Sequence, residues 1–279
     1  MVDKIELIKK LLNSDFEKNL FEASLWNLQD RKNKLRFNNF AYSIRELSRH
    51  FLYSLSPDEN ILKCSWYKNE TDKKNGVTRA QRIKYAIQSG LDDKFVNDNL
   101  IDLEEIKEIR IEIAESIDVL NKYTHINPNS FDIEETEIEY LSNNVIKALY
   151  NFASTILQTK KQILDALDNE INEEFIQRVV YENIDEISLL STHQSVHAIV
   201  PEQFNLKKID SNSIYIDVEG YVEVTLQWGS NSDLKNDIGA EMHTSFPFCA
   251  LIKIKIEDDI ENADIEFEKF DVDVSDWYE

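Results

Sequence analysis

The segment AYSIRELSRH, residues 41–50, carries an arginine and a histidine five positions apart, and these two side chains could cleave RNA without a metal. Such cleavage needs a base that removes the proton of the 2′-hydroxyl, an acid for the 5′-oxygen, and a cation that stabilises the charged phosphorane. His50 suits the acid and base roles, and Arg45 suits the role of the cation. Because so short a pattern also arises by chance, its surroundings must decide between catalysis and coincidence.

The segment that positions this pair is predicted to be a helix. Apolar residues recur at positions 37, 40, 41, 44, 47, 51, 52 and 55, the spacing of an amphipathic helix that buries one side. On an ideal helix the two side chains lie about 140° apart, too far for one compact site. A kink or a second copy of the helix would have to close the site. Asn38, Tyr42 and Arg49 lie on the polar face and are predicted to contact nucleic acid.

In type and spacing, Arg45-Glu-Leu-Ser-Arg-His50 resembles the Arg-x4–6-His motif of the HEPN ribonuclease superfamily. The resemblance implies a helical bundle that dimerises, lines one cleft with both motifs and cuts RNA without a metal. It implies that Arg45 is the cation that binds the phosphate or stabilises the transition state, and that His50 is the general acid/base. Glu46 departs from the family pattern, in which Asn, Asp or His often follows the arginine.

The distribution of charge indicates where a polyanion would bind. The chain carries a net charge of -22, yet residues 1–125 hold 21 basic and 21 acidic residues, so all of the excess lies in the remaining 154 residues. Residues 31–90 hold 13 basic and 5 acidic residues. RNA should therefore meet the N-terminal part, unless this segment is simply a solvated charged face.

The stretch WYKNETDKKNGVTRAQRIKYAIQSGL, residues 66–91, combines aromatic and basic residues as single-strand binding surfaces do. Stacking on bases is predicted for Trp66 and Tyr67, and phosphate binding for Lys68, Arg79 and Arg82. Thr78 is predicted to cap a helix that ends before Gly90. The structural alternative is that Trp66 and Tyr85 pack on the bundle.

Three further sets of residues could take part in chemistry. His125 is a candidate third catalytic residue, although a histidine that ends a helix is also stabilised by the helix dipole. His193 and His197 would share one face of a helix, as a pair of metal ligands would. A Mg²⁺ site could form from β-strand carboxylates, namely Asp217, Glu219 and Glu223 with Asp233 or Asp237. No Glu near the two histidines follows the HExxH pattern, and acidic residues are ordinary on the solvent side of a strand, so we predict no metal site and no cofactor.

The apolar pattern changes from a helical to a strand period near residue 190, which predicts an α+β protein with two domains. Residues 1–168 are predicted to form an all-α bundle, with helices over 5–12, 16–28, 37–55, 106–120 and 138–167. Residues 169–279 are predicted to form an acidic, mostly antiparallel β domain, with strands over 213–228, 246–256 and 265–274. Gly220 interrupts the first strand and indicates a bulge or bend.

Three stretches, 66–91, 222–248 and 270–279, are similar to a family of predicted nucleases associated with prokaryotic Piwi-like (pPIWI) proteins. This resemblance implies a role in prokaryotic, anti-phage defence. We therefore predict a cytoplasmic, homodimeric, metal-independent endoribonuclease that binds RNA, with a β domain that senses a protein partner or phage-derived trigger. The alternatives are a non-catalytic interaction protein whose acidic domain binds a basic partner, and a metal-dependent nuclease that uses the β-domain carboxylates. No stretch is apolar enough to predict a membrane segment.

Overall fold

A computed structural model describes residues 2–181, 184–210, 213–255 and 264–278 of the chain. It divides into two compact units, the helical unit of residues 1–161 and the β unit of residues 162–279. The division falls inside one long helix, and the boundary predicted near residue 168 lies in the same helix. The helical pattern followed by a four-stranded antiparallel sheet confirms the predicted α+β class.

The helices that begin in the helical unit include all of those predicted from the apolar pattern. Their bounds are α1 Val2–Leu11, α2 Asp15–Gln29, α3 Arg36–Leu55, α4 Asp58–Ile61, α5 Arg79–Gln88, α6 Asp93–Asn99, α7 Leu103–Asn121 and α8 Glu135–Tyr181. The last helix runs well past its predicted end. No described helix combines the length and apolar character needed to cross a membrane.

Helix α3 lies in the core of the helical unit and packs against α2, α5 and α7. Its predicted apolar stripe is buried, with Phe40, Ala41 and Ile44 fully so. Helix α5 begins at the predicted cap, where the Thr78 hydroxyl accepts from the backbone N–H of Gln81 and the Gln81 side chain accepts from the N–H of Thr78. Because its apolar stripe is buried, α3 presents its polar side to α5 and to solvent.

The β unit contains a meander of four antiparallel strands in the order β1-β2-β3-β4. The bounds of its elements are α9 Asp185–Ser188, β1 His193–Ile209, β2 Ser213–Trp228, α10 Asn231–Lys235, β3 Ala240–Lys255, β4 Ile265–Val272 and a 3-10 helix, Ser275–Tyr278. Strands β2, β3 and β4 confirm the predicted ones within the described residues.

Strand β1 was not predicted from the sequence. Among the residues that the structure describes, it is an edge strand paired with β2 alone, and most of its side chains are at least partly exposed, so it lacks the strict apolar alternation of β2. The helical spacing assumed for His193 and His197 was therefore wrong, because both residues lie in this strand.

One face of the sheet is covered by the C-terminal part of α8. Phe175 is fully buried, and its ring lies 5.4 Å from that of Phe248 and 5.0 Å from that of Phe267, centroid to centroid. The guanidinium of Arg178 lies 3.8 Å from the ring centroid of Phe267. Packing of this kind leaves the opposite face of the sheet open to solvent.

Gly220 lies at the point where β2 meets an irregular part of β1, as its position in the apolar pattern predicted. The register between the strands shifts between Pro201 and Gln203, directly opposite Gly220. A Cβ atom at position 220 would lie 2.1 Å from the carbonyl oxygen of Val200 and 2.8 Å from the ring of Phe248. The close approach of the two strands therefore requires a residue without a side chain.

The substitution Gly220→Ala should destabilise the protein by about 1–3 kcal/mol, because the added methyl must displace a backbone carbonyl or a core ring. Urea unfolding followed by circular dichroism would measure the loss. The neighbouring exposed substitution Glu219→Ala is the matched control and should change stability by less than about 0.5 kcal/mol. Equal stabilities for the two variants would contradict the close approach of β1 to β2.

Candidate functional site

Four of the chain's eight arginines line one pocket in the helical unit, which we call the arginine pocket. Arg45 and Arg49 are four positions apart on α3, and Arg79 and Arg82 are three positions apart on α5, so each pair shares one helix face. The pocket has a volume of about 380 Å³. Its remaining lining residues are Glu46, Ser48, Leu52, Tyr53 and Ile117.

Arg82 is held firmly in the wall of this pocket. Its guanidinium donates to the backbone carbonyl of Ser56 at 2.6 Å and forms an ion pair with Asp58. The ring of Tyr53 lies beside it, 4.6 Å from ring centroid to guanidinium carbon. Because only 15% of its side chain is exposed, Arg82 organises the pocket as well as adding charge to it.

The other three arginines are more exposed and differ in their partners. Arg49 lies 3.1 Å from the carboxylate of Glu46, and Arg79 lies 3.0 Å from that of Asp118. Arg45 forms no ion pair and no hydrogen bond with any residue that the structure describes. An anion that enters the pocket would meet an uncompensated guanidinium at Arg45. It could also replace the exposed carboxylates that pair with Arg49 and Arg79.

His50 does not line the arginine pocket. Its exposed ring packs edge-on against the ring of Phe16, with the centroids 5.2 Å apart. The wide angle predicted between Arg45 and His50 on one helix agrees with this placement. A single chain therefore leaves Arg45 in the pocket without the histidine that acid–base chemistry would need.

The candidate third catalytic residue, His125, lies exposed in the turn after α7, also outside the arginine pocket. The backbone carbonyl of His125 accepts a hydrogen bond from the Ser130 hydroxyl at 2.8 Å. This bond holds the main chain in place and does not involve the imidazole ring. Nearby, burial and a hydrogen bond to Glu137 raise the pKa of Tyr123 to about 12, so this phenol stays protonated at neutral pH.

Asn38 has a structural position, although the sequence suggested contact with nucleic acid. Its side chain is buried, and its amide donates to the carbonyls of Tyr123 at 2.8 Å and Ser130 at 2.9 Å. These bonds tie α3 to the segment that follows α7, and both donors of the amide are used. Tyr42 is 59% exposed but does not line the arginine pocket.

The aromatic residues ahead of α5 are used in packing. Trp66 and Tyr67 are partly buried against Ile61, Cys64 and Tyr85, as the structural alternative for Trp66 proposed. The Lys84 ammonium lies 4.6 Å from the ring centroid of Trp66. The Tyr67 hydroxyl donates to the Gly76 carbonyl at 3.0 Å.

Lys68, by contrast, is exposed, and its backbone carbonyl accepts from the amide of Gln81 at 2.6 Å. The packed rings of Trp66 and Tyr67 do not form an open stacking platform. Of the residues predicted in this stretch to bind RNA, Lys68, Arg79 and Arg82 keep charges at or near the surface.

The described residues contain no group of three or more His, Cys, Asp or Glu side chains arranged to hold a metal ion. Of the carboxylates proposed for Mg²⁺, Asp217 pairs with Lys207 at 2.9 Å, while Glu219 and Glu223 are exposed. Burial raises the pKa of the Cys64 thiol to about 11, which makes this cysteine a poor nucleophile. The arginine pocket is thus the strongest candidate site in the helical unit.

The grouping of four arginines in one pocket, together with Tyr53 and Ile117, was not predicted from the sequence. The spacings within each pair were visible as two basic helix faces. Nothing in the sequence, however, indicated that the basic faces of α3 and α5 meet, because their contact depends on the packing of two helices separated by more than twenty residues, which include the short helix α4.

Together, the fold and the pocket define an α+β protein with an arginine-lined pocket on its helices. Sequence models of the family described as Predicted pPIWI-associating nuclease match residues 9–149 and 156–278, and the first match alone covers just over half of the 279 residues. The chain therefore belongs to this family of predicted nucleases. No curated protein and no solved structure matched the chain significantly.

The role of Asn38 can be tested by stability. Replacement of Asn38 by Ala leaves two buried carbonyls without donors and should lower the free energy of unfolding by about 1–3 kcal/mol. Asn39→Ala is the matched control, since Asn39 is partly exposed and makes one side-chain bond of 3.3 Å to Asn27; its loss should stay below about 0.5 kcal/mol. A fully stable Asn38→Ala variant with weakened RNA binding would restore the role predicted from the sequence.

Proposed function

We propose that this protein is a metal-independent endoribonuclease that acts as a homodimer in prokaryotic defence, and that the arginine pocket binds the phosphate of the RNA. The observation that carries the proposal is the convergence of Arg45, Arg49, Arg79 and Arg82 on one pocket. Guanidinium groups match phosphate oxygens in geometry and in charge, and they remain protonated throughout the physiological pH range.

The size and lining of the pocket fit this role. A volume of about 380 Å³ lies at the small end of the range for ligand sites, which suits a phosphate with part of a nucleotide. Leu52, Tyr53 and Ile117 add apolar surface beside the charged groups. Arg45 is the strongest candidate for binding the phosphate, because among the described residues its charge has no partner.

A second copy of the chain is proposed to supply the acid–base group. His50 lies on α3 outside the pocket of its own chain, and a two-fold axis near Glu46 would bring Arg45 of one copy towards His50 of the other. The resemblance of Arg45 to His50 to the HEPN motif supports the same arrangement, with Arg45 as transition-state cation and His50 as general acid/base. His125 remains a candidate for a third role.

The β unit is proposed to regulate the nuclease by binding a protein partner or a phage-derived trigger. Residues 162–279 carry 7 basic and 27 acidic residues, so their field repels RNA and attracts basic partners. Membership in a family described as pPIWI-associating supports a defence context.

RNA binding provides the first test of the pocket. Arg45→Ala should weaken the binding of single-stranded RNA and lower the slope of log affinity against log salt by about 1, because one phosphate contact is lost. Filter binding at several salt concentrations would measure both quantities. Arg31→Ala is the matched control, since Arg31 is exposed, lies outside the pocket and has its guanidinium 3.8 Å from the carboxylate of Glu135. An equal effect of both substitutions would indicate diffuse attraction and no phosphate site.

Cleavage provides the second test and examines the shared site directly. RNA cleavage should persist in excess EDTA and disappear in Arg45→Ala and in His50→Ala. If each site combines Arg45 of one copy with His50 of the other, mixing the two inactive variants creates heterodimers with one intact site. Random exchange should then restore about a quarter of the wild-type rate.

Three outcomes would count against this mechanism. Lack of activity in the mixture would mean that the two residues do not act across a dimer. Cleavage lost in EDTA and rescued by Mg²⁺ would indicate a metal-dependent nuclease. A wild-type protein that binds a basic protein partner but neither binds nor cuts RNA would favour the non-catalytic interaction protein.

A further inference from the structure

A second polar cluster lies on the solvent-facing side of the sheet and takes no part in the proposed nuclease site. The Nε2 atom of His197 on β1 and the Nδ1 atom of His243 on β3 each lie 2.5 Å from the hydroxyl oxygen of Thr225 on β2. The centroids of the two imidazole rings are 6.1 Å apart. We call these three residues the imidazole cluster.

A bulge in β1 places His197 in this cluster. The partners of β2 run from Val196, opposite Val224, directly to Ala198, opposite Glu223, so His197 is the extra residue of the bulge. In regular register His197 would lie opposite Glu223, two residues along β2 from Thr225. A bulge re-aims the side chain that it carries, and here the His197 side chain reaches Thr225. On the other side His243 lies directly opposite Thr225.

The shared hydroxyl draws two ring nitrogens towards one point. Thr225 is only 6% exposed and has one hydroxyl proton, so it can donate to one imidazole and accept from the other. Because each nitrogen lies 2.5 Å from the same oxygen, the two nitrogens are at most 5.0 Å apart. Two imidazole nitrogens bound to one tetrahedral zinc ion lie about 3.3 Å apart, given bond lengths of about 2.05 Å.

We propose that the imidazole cluster binds a divalent transition-metal ion of the class that prefers imidazole ligands, such as Zn²⁺. The ion would be held by Nε2 of His197 and Nδ1 of His243, both neutral and unprotonated at those atoms, with the Thr225 hydroxyl beside them. A proton on either coordinating nitrogen leaves for solvent or moves to the other ring nitrogen. Closing the site requires a shift of the two nitrogens of less than about 2 Å, which side-chain rotation on an open sheet face provides.

The surrounding charge favours a cation. Glu223 and Glu241 lie two positions from Thr225 and His243 along their own strands, on the same face of the sheet, and both are exposed. Among the described residues, neither carboxylate joins the two histidines in a group of three potential metal ligands. Water must complete the coordination shell, so the site is open and exchangeable, unlike a four-ligand structural zinc site.

Imidazole ligands also predict the order of affinities. A site with two imidazoles should bind Cu²⁺ more tightly than Zn²⁺, and both far more tightly than Mg²⁺, which prefers carboxylate and water oxygens. This order separates the imidazole cluster from non-specific attraction of cations to the acidic surface, which would not distinguish Zn²⁺ from Mg²⁺ by ligand type.

Titration calorimetry of ZnCl₂ into the full-length, untagged protein would test the proposal. The wild type should bind one equivalent of Zn²⁺, and His197→Ala and His243→Ala should each weaken this binding at least tenfold, with no comparable uptake of Mg²⁺. His193→Ala is the matched control, because His193 is an exposed histidine on the same strand that makes no contact with Thr225. Its affinity for Zn²⁺ should equal that of the wild type.

Thermal unfolding of each variant would show that the fold is retained, and His197→Gln provides a second variant with a polar side chain. The absence of Zn²⁺ binding by the wild type would overturn the proposal. So would binding that is unchanged in folded His197→Ala and His243→Ala proteins, or binding that His193→Ala removes equally. None of these outcomes depends on whether the helical unit cleaves RNA.

Discussion

The burial of one stripe of α3 is the constraint on which the helical unit depends. Phe40, Ala41 and Ile44 are fully enclosed, so the rotation of this helix about its axis is set by its core contacts. Once that rotation is set, Arg45 must enter the pocket beside α5 and His50 must lie on another side, against Phe16. The separation of these two side chains thus follows from the period of the helix and from the core.

The same packing explains how one short region can collect four arginines. Like charges repel, and the repulsion is offset here by carboxylates and by backbone carbonyls around the rim. Arg82 is bound to Asp58 and Ser56, while Arg49 and Arg79 have exposed carboxylate partners. A pocket of this kind combines fixed geometry with exchangeable counter-charges, which is the condition for binding an anion such as phosphate and releasing it again.

The β unit shows how local irregularity in a sheet creates specific geometry. Strand β1 departs from regular pairing at several points, and two of them matter most here. Opposite Gly220 the strands approach so closely that no side chain fits, whereas at His197 an extra residue brings an imidazole over Thr225. Both irregularities lie in β1, an edge strand with few buried side chains, where a regular register is less constrained by the core.

Much of this protein could be predicted from the sequence, because helical and strand periods are local properties. The helix that carries Arg45 and His50, the cap at Thr78, the strands that pair across residues 213–255 and the special position of Gly220 all follow from residue type and spacing. The angle between Arg45 and His50 follows in the same way. Strand β1 escaped prediction because an edge strand with few buried residues has no strong alternation.

Only the tertiary structure decided which distant residues meet. It placed Arg79 and Arg82 beside Arg45, used both donors of Asn38 inside the unit, and paired His197 with His243 in place of His193. It also enclosed part of Trp66, where the sequence suggested an open stacking surface. These outcomes depend on how helices and strands pack over long separations in the chain, and local sequence periods carry no information about such contacts.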